Sequence, residues 1–281
     1  MTTTIYRKYR PQIFKEIIGQ EYIKQTLQNE IAAGKIAHAY IFSGPRGVGK
    51  TTLARVFAKS INCENRKENE SEPCNKCASC EDIATGRSLD LIEIDAASNR
   101  GINEIRELRE RTRFAPVKSK YKVFIVDEVH MLTIEAFNAL LKTLEEPPEY
   151  IIFILCTTEI HKVPETIISR CQRFDFKTID IKEITKRLET IVKAEGIKAD
   201  KKVLKNIAYH SEGHPRDAES LLAQVLALVT EDKKIDLEQL ELILPSSDFD
   251  LVLKLIKSLA KRALKKEVLS VSYTHLTLPT N

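Results

Sequence analysis

The 281-residue chain has no tryptophan, two methionines, nine glycines and only 6% aromatic residues. So sparse an aromatic set argues against a protein that recognises exposed bases by stacking on them. Long apolar runs are missing too. No stretch approaches the ~20 apolar residues that a membrane-spanning helix needs. The N-terminus, MTTTIYRKYRP, lacks the apolar segment and small-residue cleavage site of a secretory signal. The expectation from these absences is a cytoplasmic protein with no membrane partner.

What is present has an ordinary globular balance, 43% hydrophobic and 30% charged, which excludes global disorder. Forty-four basic against 40 acidic residues leave +4, so the distribution of charge says more than its total. The length predicts two domains and part of a third, and a core that needs no disulfide staples. Six cysteines occur, four of them in one cluster, and in a cytoplasmic chain that clustering points to metal before disulfides.

Hydrophobic periodicity predicts a helix over 20–33, a buried strand over Ala39–Phe42, a helix over 51–61 and a strand over 90–95. A helix over 102–113, a strand over 123–126, a helix over 134–145 and strands over 151–156 and 173–176 follow. This alternation predicts an α/β fold: a parallel sheet with helices on both faces. Beyond residue 178 the pattern becomes helical only, with Ile184, Leu188 and Ile191, then Val203, Leu204, Ile207 and Ala208, then Leu221, Leu222, Val225, Leu226 and Val229. No strand is expected among them. The expected division is 1–178 as the α/β domain, with a metal-binding insertion at 63–80, and 179–243 as a three-helix domain. Residues 244–270 would begin a further helical domain.

Gly44-Pro45-Arg46-Gly47-Val48-Gly49-Lys50-Thr51 matches G-x-x-x-x-G-K-[ST] between a predicted strand and a predicted helix. Glycines let the backbone wrap closely around phosphate, and the free N–H groups at the helix start attract the anion. In that chemistry Lys50 reaches the β- and γ-phosphates and Thr51 ligates Mg²⁺, with Thr52 beside it. Asp127-Glu128 ends the 123–126 strand at the same sheet edge. Asp127 is expected to hold Mg²⁺ through water, and Glu128 to orient or deprotonate the attacking water. Cys63, Cys74, Cys77 and Cys80 supply four thiolates for a closed tetrahedral zinc site, with an iron–sulfur cluster as the alternative. Lys67 and Lys76 are candidates to offset its negative charge. Cys156 and Cys171 read as ordinary residues. From Arg100 to Lys122 there are eight basic and three acidic residues, and Arg106, Arg109 and Arg113 share a helical face that could follow a phosphate backbone.

Taken together, these motifs resemble the AAA+ ATPases of the clamp-loader group. The resemblance rests on Tyr9-Arg10-Pro11, Gly19-Gln20, His38-Ala39-Tyr40, the phosphate loop, the four-cysteine insertion and Glu93 to Ser98. Asp127 to Leu132, Phe137 to Pro148 and Ser169-Arg170-Cys171 complete it. It covers residues 5–243. It implies an AAA+ P-loop fold with a helical lid and a helical collar, here truncated. It implies ATP hydrolysis to load a sliding clamp onto primer–template DNA during replication, within a hetero-pentamer of clamp-loader subunits. ATP, Mg²⁺ and Zn²⁺ are the implied cofactors.

Residue by residue, Arg170 resembles an arginine finger that reaches the neighbouring subunit's ATP. Thr157 or Thr158 is similar to the polar sensor of the γ-phosphate. Arg216, in Gly213-His214-Pro215-Arg216, is similar to the second sensor on the lid. Tyr6 to Pro11 resembles the strip beside adenine and ribose. Two other readings remain at this point. Asp127-Glu128-Val129-His130 also spells the DExH box of nucleic-acid motors, and the fold could be a non-hydrolysing scaffold. Residues 271–281 break the helical pattern and are expected to be a non-native tail.

Overall fold

The computed structural model describes residues 4–67, 69–228, 234–235, 243 and 256. The α/β part begins with a short helix α1 (Ile5–Lys8), followed by α2 (Glu21–Ala33), β1 (Ala39–Ser43), α3 (Lys50–Ile61) and α4 (Ala78–Thr85). Then come β2 (Leu91–Asp95), α5 (Ile102–Thr112), β3 (Lys122–Asp127), α6 (Ile134–Glu145), β4 (Ile151–Thr157), α7 (Glu165–Ile168) and β5 (Gln172–Asp175). The five strands pair in the order β2-β3-β4-β1-β5, all parallel.

Both faces of the sheet are covered, which explains why its inner strands read as continuous apolar runs. Alternate residues serve opposite faces. On β1, Tyr40 and Phe42 join one core layer with Leu27, Leu53 and Phe57 of α2 and α3, while Ile41 joins the other. On β3 and β4, Phe124, Val126, Phe153 and Leu155 pack with Ile105 and Leu108 of α5 and Phe137 and Leu140 of α6. Each such side chain contributes about 1.5–3 kcal/mol by leaving water. A parallel sheet held this way fixes its strand ends, and those ends carry the chemistry.

The second part contains α8 (Ile181–Ala194), α9 (Lys201–His210) and α10 (Pro215–Ala227). Asp180 and Asp200 cap α8 and α9 by accepting from the Lys182 and Lys202 N–H groups at 2.7 and 3.0 Å. The apolar residues at helical spacing, Ile184, Leu188 and Ile191 with Val203, Leu204, Ile207, Leu222 and Val225, form a separate core. The two parts meet where Arg216 N of the helical part donates to Gly47 O of the α/β part.

Three features differ from the sequence reading. Two-residue strands β6 (Lys198–Ala199) and β7 (Lys234–Ile235) pair in parallel beside the three helices, where no strand was expected. A two-residue pairing is too short to carry a period-2 signal. Residues 5–8, for which the sequence reading named no element, form α1, and the cysteine segment, likewise unassigned, contains α4. Val229, the collar at 244–270 (apart from Ile256) and the tail at 271–281 lie outside the described residues.

Candidate nucleotide site

The phosphate loop joins β1 to α3. Gly44 passes so close to Phe176 that an added Cβ would lie 2.5 Å from the Phe176 carbonyl oxygen. Gly49, the N-cap of α3, has φ 100°, a conformation that L side chains rarely adopt. Both glycines are required by this path of the chain. The buried Lys50 side chain folds back over the loop and donates to Gly44 O at 2.7 Å and Pro45 O at 2.8 Å. Burial pushes its ammonium below the usual lysine value, while Glu128 and Asp127 act in the opposite direction.

Three strand ends converge here. The Thr51 hydroxyl donates to Asp127 Oδ2 at 2.8 Å, so the two expected magnesium-binding groups already face each other. Their pairing as hydroxyl and carboxylate suits a hard divalent cation. Glu128 sits in the left-handed region, φ 49°, and its carboxylate accepts from the Thr158 hydroxyl at 3.0 Å. Thr157 is fully buried, and its hydroxyl is engaged by the His130 ring and by Glu159 N–H, each at 3.0 Å. The two threonines left open by the sequence therefore have different surroundings: Thr158 faces Glu128, and Thr157 faces away into protein. Cys156 is buried beneath this edge, and burial raises its thiol pKa well above the ordinary value. Burial likewise pushes Cys171 up to about 12.

A cleft above these residues is lined by Arg46, Gly47, Val48, Gly49, Lys50, Thr51, Thr52, Asp127 and Glu128 from the α/β part. The helical part contributes Arg187, Pro215, Arg216 and Glu219, and the N-terminal segment contributes Tyr6, Arg10 and Pro11. The Arg216 guanidinium lies 4.9 Å from the Tyr6 ring centroid, and Arg216 N donates to Gly47 O at 3.4 Å. Arg187 and Glu219 had no signal in the sequence, because long-range pairing brings them in. Arg187 bonds Glu219 at 3.0 Å and also the Tyr9 carbonyl, tying the N-terminal strip to the helices. Burial raises the Glu219 pKa even against that arginine.

Arg170 is not part of its own chain's cleft. Its guanidinium donates to Glu145 Oε1 at 2.6 Å and Thr166 O at 2.7 Å. In the 100–122 stretch, Arg106 is exposed, Arg109 is half-buried, and Arg113 pairs with Glu110 at 2.9 Å.

The ligand atoms of Cys63, Cys74, Cys77 and Cys80 all lie within 4.8 Å of one another. Four thiolates about a tetrahedral zinc stand about 3.8 Å apart, so the cluster fits with little movement. Burial would raise the Cys74 thiol pKa, but N–H donation from Lys76 and Cys77 prevails and lowers it to about 6. Lys67 turns to Glu70 at 3.6 Å. The buried lysine near the cysteines is instead Lys59, bonded to Gln12 Oε1 at 2.7 Å.

Comparison with known proteins identifies the family of the chain. Residues 19–180 match the family described as DNA polymerase III, delta subunit, and residues 183–231 match the DNA polymerase III clamp loader subunit, ATPase lid domain. The chain is 54% identical to DNA polymerase III subunit tau of Bacillus subtilis over 232 residues, covering 83% of this chain and 41% of the relative. It is 43% identical to the tau subunit of Escherichia coli, covering 91% of this chain and 39% of that one. Against subunit gamma of Buchnera aphidicola subsp. Baizongia pistaciae it is 40% identical over 277 residues, or 96% of this chain and 73% of the relative. The chain thus spans about two fifths of the length of the tau relatives. In fold it is similar to the RuvB Holliday junction branch migration motor of Thermotoga maritima, with a TM-score of 0.63 at 19% identity over 89% of this chain and 78% of that one. Among the described residues no helix is long and apolar enough to cross a membrane. The chain belongs to the gamma/tau family of DNA polymerase III clamp-loader subunits.

Proposed function

We propose that this chain is the ATP-hydrolysing portion of a clamp-loader subunit, working in the cytoplasm to place a sliding clamp on primer–template DNA. The observation that carries the reading is the meeting of Lys50, Thr51, Asp127, Glu128 and Thr158 at one sheet edge beneath Arg216. The family membership favours it over a DExH-type motor. The complete set of polar groups argues against a non-hydrolysing scaffold.

In this reading the loop N–H groups and Lys50 bind the β- and γ-phosphates, releasing Lys50 from its carbonyl partners. Thr51 and Asp127 hold Mg²⁺, which supplies charge neutralisation at the phosphoryl oxygens. Glu128 takes or orients the proton of the attacking water, and Thr158 holds that carboxylate and senses the γ-phosphate. Arg216 reads the nucleotide from the lid. Arg170 leaves Glu145 for the ATP of a neighbouring subunit, where its guanidinium stabilises the transferring phosphoryl group. Hydrolysis then depends on assembly with other subunits.

The four cysteines hold a structural zinc, with no open position for catalysis. The basic face of α5 follows the DNA backbone without reading bases. The test is a clamp-loading assay: the chain, its partner subunits, clamp and primed circular DNA are mixed with ATP. Clamp retained on DNA only with hydrolysable ATP and an intact Glu128 supports the reading. Retention that is indifferent to nucleotide contradicts it.

A further inference from the structure

The reading above uses Glu128 and Thr158 but leaves out the imidazole packed against them. His130 lies in the turn after β3, and its side chain is only 5% exposed. Its Nδ1 stands 3.0 Å from Thr157 Oγ1 and 3.5 Å from Glu128 Oε2, and its Nε2 stands 3.3 Å from Glu159 Oε1. Thr157 Oγ1 already accepts from Glu159 N–H. A fully buried hydroxyl must also place its own proton, and the His130 ring is the acceptor in reach. The network therefore assigns Nδ1 as acceptor from Thr157 and leaves the N–H on Nε2, facing the Glu159 carboxylate.

That carboxylate is well anchored. Lys162 bonds it at 2.8 Å and holds it below the usual carboxylate pKa. The result is a fixed chain of contacts: Lys162 to Glu159, Glu159 to the imidazole, and the imidazole to the Thr157 hydroxyl. It closes beside Glu128. Thr157 and Thr158 are adjacent, so a Thr157 side chain pinned by His130 also fixes the backbone from which Thr158 reaches Glu128.

We propose that His130 is a positioning residue for hydrolysis, acting through Thr157 and Thr158 to hold the Glu128 carboxylate where the attacking water binds. The proposal rests on the ATPase reading and extends it. It does not make His130 a proton carrier. With Nδ1 accepting from Thr157, the ring has no proton to offer Glu128, and that carboxylate stays free to receive the proton of the water. Because the ring does not touch the phosphate loop, its loss is expected to affect turnover and leave nucleotide affinity intact.

Three measurements separate the possibilities. Affinity for a fluorescent ATP analogue is read on the chain itself. Single-turnover hydrolysis is read in the assembly with partner subunits and primed DNA. The ¹⁵N resonances of the His130 ring report its tautomer. His130→Ala is expected to bind the analogue within about twofold of wild type and to hydrolyse roughly 10- to 100-fold more slowly, the scale of a misplaced catalytic group. His130→Asn, whose Oδ1 can accept from Thr157, is expected to recover most of the rate. The ring resonances should show an unprotonated Nδ1 beside a protonated Nε2. The proposal is overturned if His130→Ala hydrolyses like wild type, if His130→Asn is no better than His130→Ala, or if affinity falls in step with rate. A wild-type chain that binds nucleotide yet never hydrolyses it in the assembly overturns the ATPase reading itself, an outcome distinct from the other three.

Discussion

The Thr158 hydroxyl donates to the Glu128 carboxylate at 3.0 Å, bridging the ends of two neighbouring parallel strands. Without that contact the carboxylate would stand on a left-handed residue in a turn, with the His130 ring 3.5 Å away beside it. With it, the end of β4 sets where the carboxylate after β3 points. Thr158→Val, which keeps the shape and removes the hydroxyl, is expected to bind ATP normally and to hydrolyse it at least tenfold more slowly, the usual scale for a lost catalytic hydrogen bond. Pre-steady-state phosphate release is the readout; a wild-type rate would remove Thr158 from the mechanism.

Lys50→Ala is expected to abolish measurable nucleotide binding. Lys50 is buried at the base of the loop and its two carbonyl partners are within the same loop, so the ammonium is poised for exchange onto phosphate. Equilibrium titration with labelled ATP checks this. Unchanged affinity would defeat the loop's assignment.

Arg170→Ala is expected to leave nucleotide affinity unchanged and to lose DNA-stimulated hydrolysis in the assembly, by a factor of about 10³ or more. The companion change, Glu145→Gln, removes the charge that holds the guanidinium at 2.6 Å within its own chain. It is expected to leave affinity untouched and hydrolysis equal to wild type or faster. Loss of hydrolysis in that variant would mean that Glu145 positions the finger rather than restrains it.

Purified chain is expected to carry one zinc and no colour. Stripping with a chelator should lower the melting temperature by several degrees, because the cysteine segment closes on itself chiefly through the metal. Metal analysis and thermal unfolding test this; a coloured, iron-containing protein would favour the cluster alternative.

Asp90 gives a pH-dependent prediction independent of the site. Burial alone would raise its pKa, but N–H donation from Val117, Lys118 and Ser119 at 2.7, 2.9 and 2.9 Å holds it below the usual carboxylate value. A depressed folded pKa stabilises the native state fully above the unfolded value near 3.8, and the gain disappears as pH falls through the folded value. Asp90→Asn should therefore cost about 1.5–3 kcal/mol at pH 7 and much less in strong acid. Unfolding curves at the two pH values decide it.

Much of this architecture was legible in the sequence because its signals are local. The phosphate loop is a contiguous run of glycines with a fixed purpose, and the inner strands are short apolar runs ended by turn residues. What could not be read depends on chain segments far apart in sequence. Arg187 meets Tyr9 and Glu219 only after the helices fold back over the N-terminus. His130 stood in the sequence as one letter of a motor-like motif, and its partners Thr157 and Glu159 arrive from the next strand and its turn. Lys59 rather than Lys67 sits beside the cysteines because helix packing, not sequence proximity, decides which side chain is buried.

The central claim is that hydrolysis occurs at this sheet edge and is completed by a neighbour. Its most direct measurement is the ATP hydrolysis rate of the chain with partner subunits and clamp, with and without primed DNA, for wild type and Glu128→Gln. The account predicts strong stimulation by primed DNA in the wild type and near-background rates in Glu128→Gln, with ATP bound equally well by both. Equal, DNA-independent hydrolysis by the two proteins would contradict it.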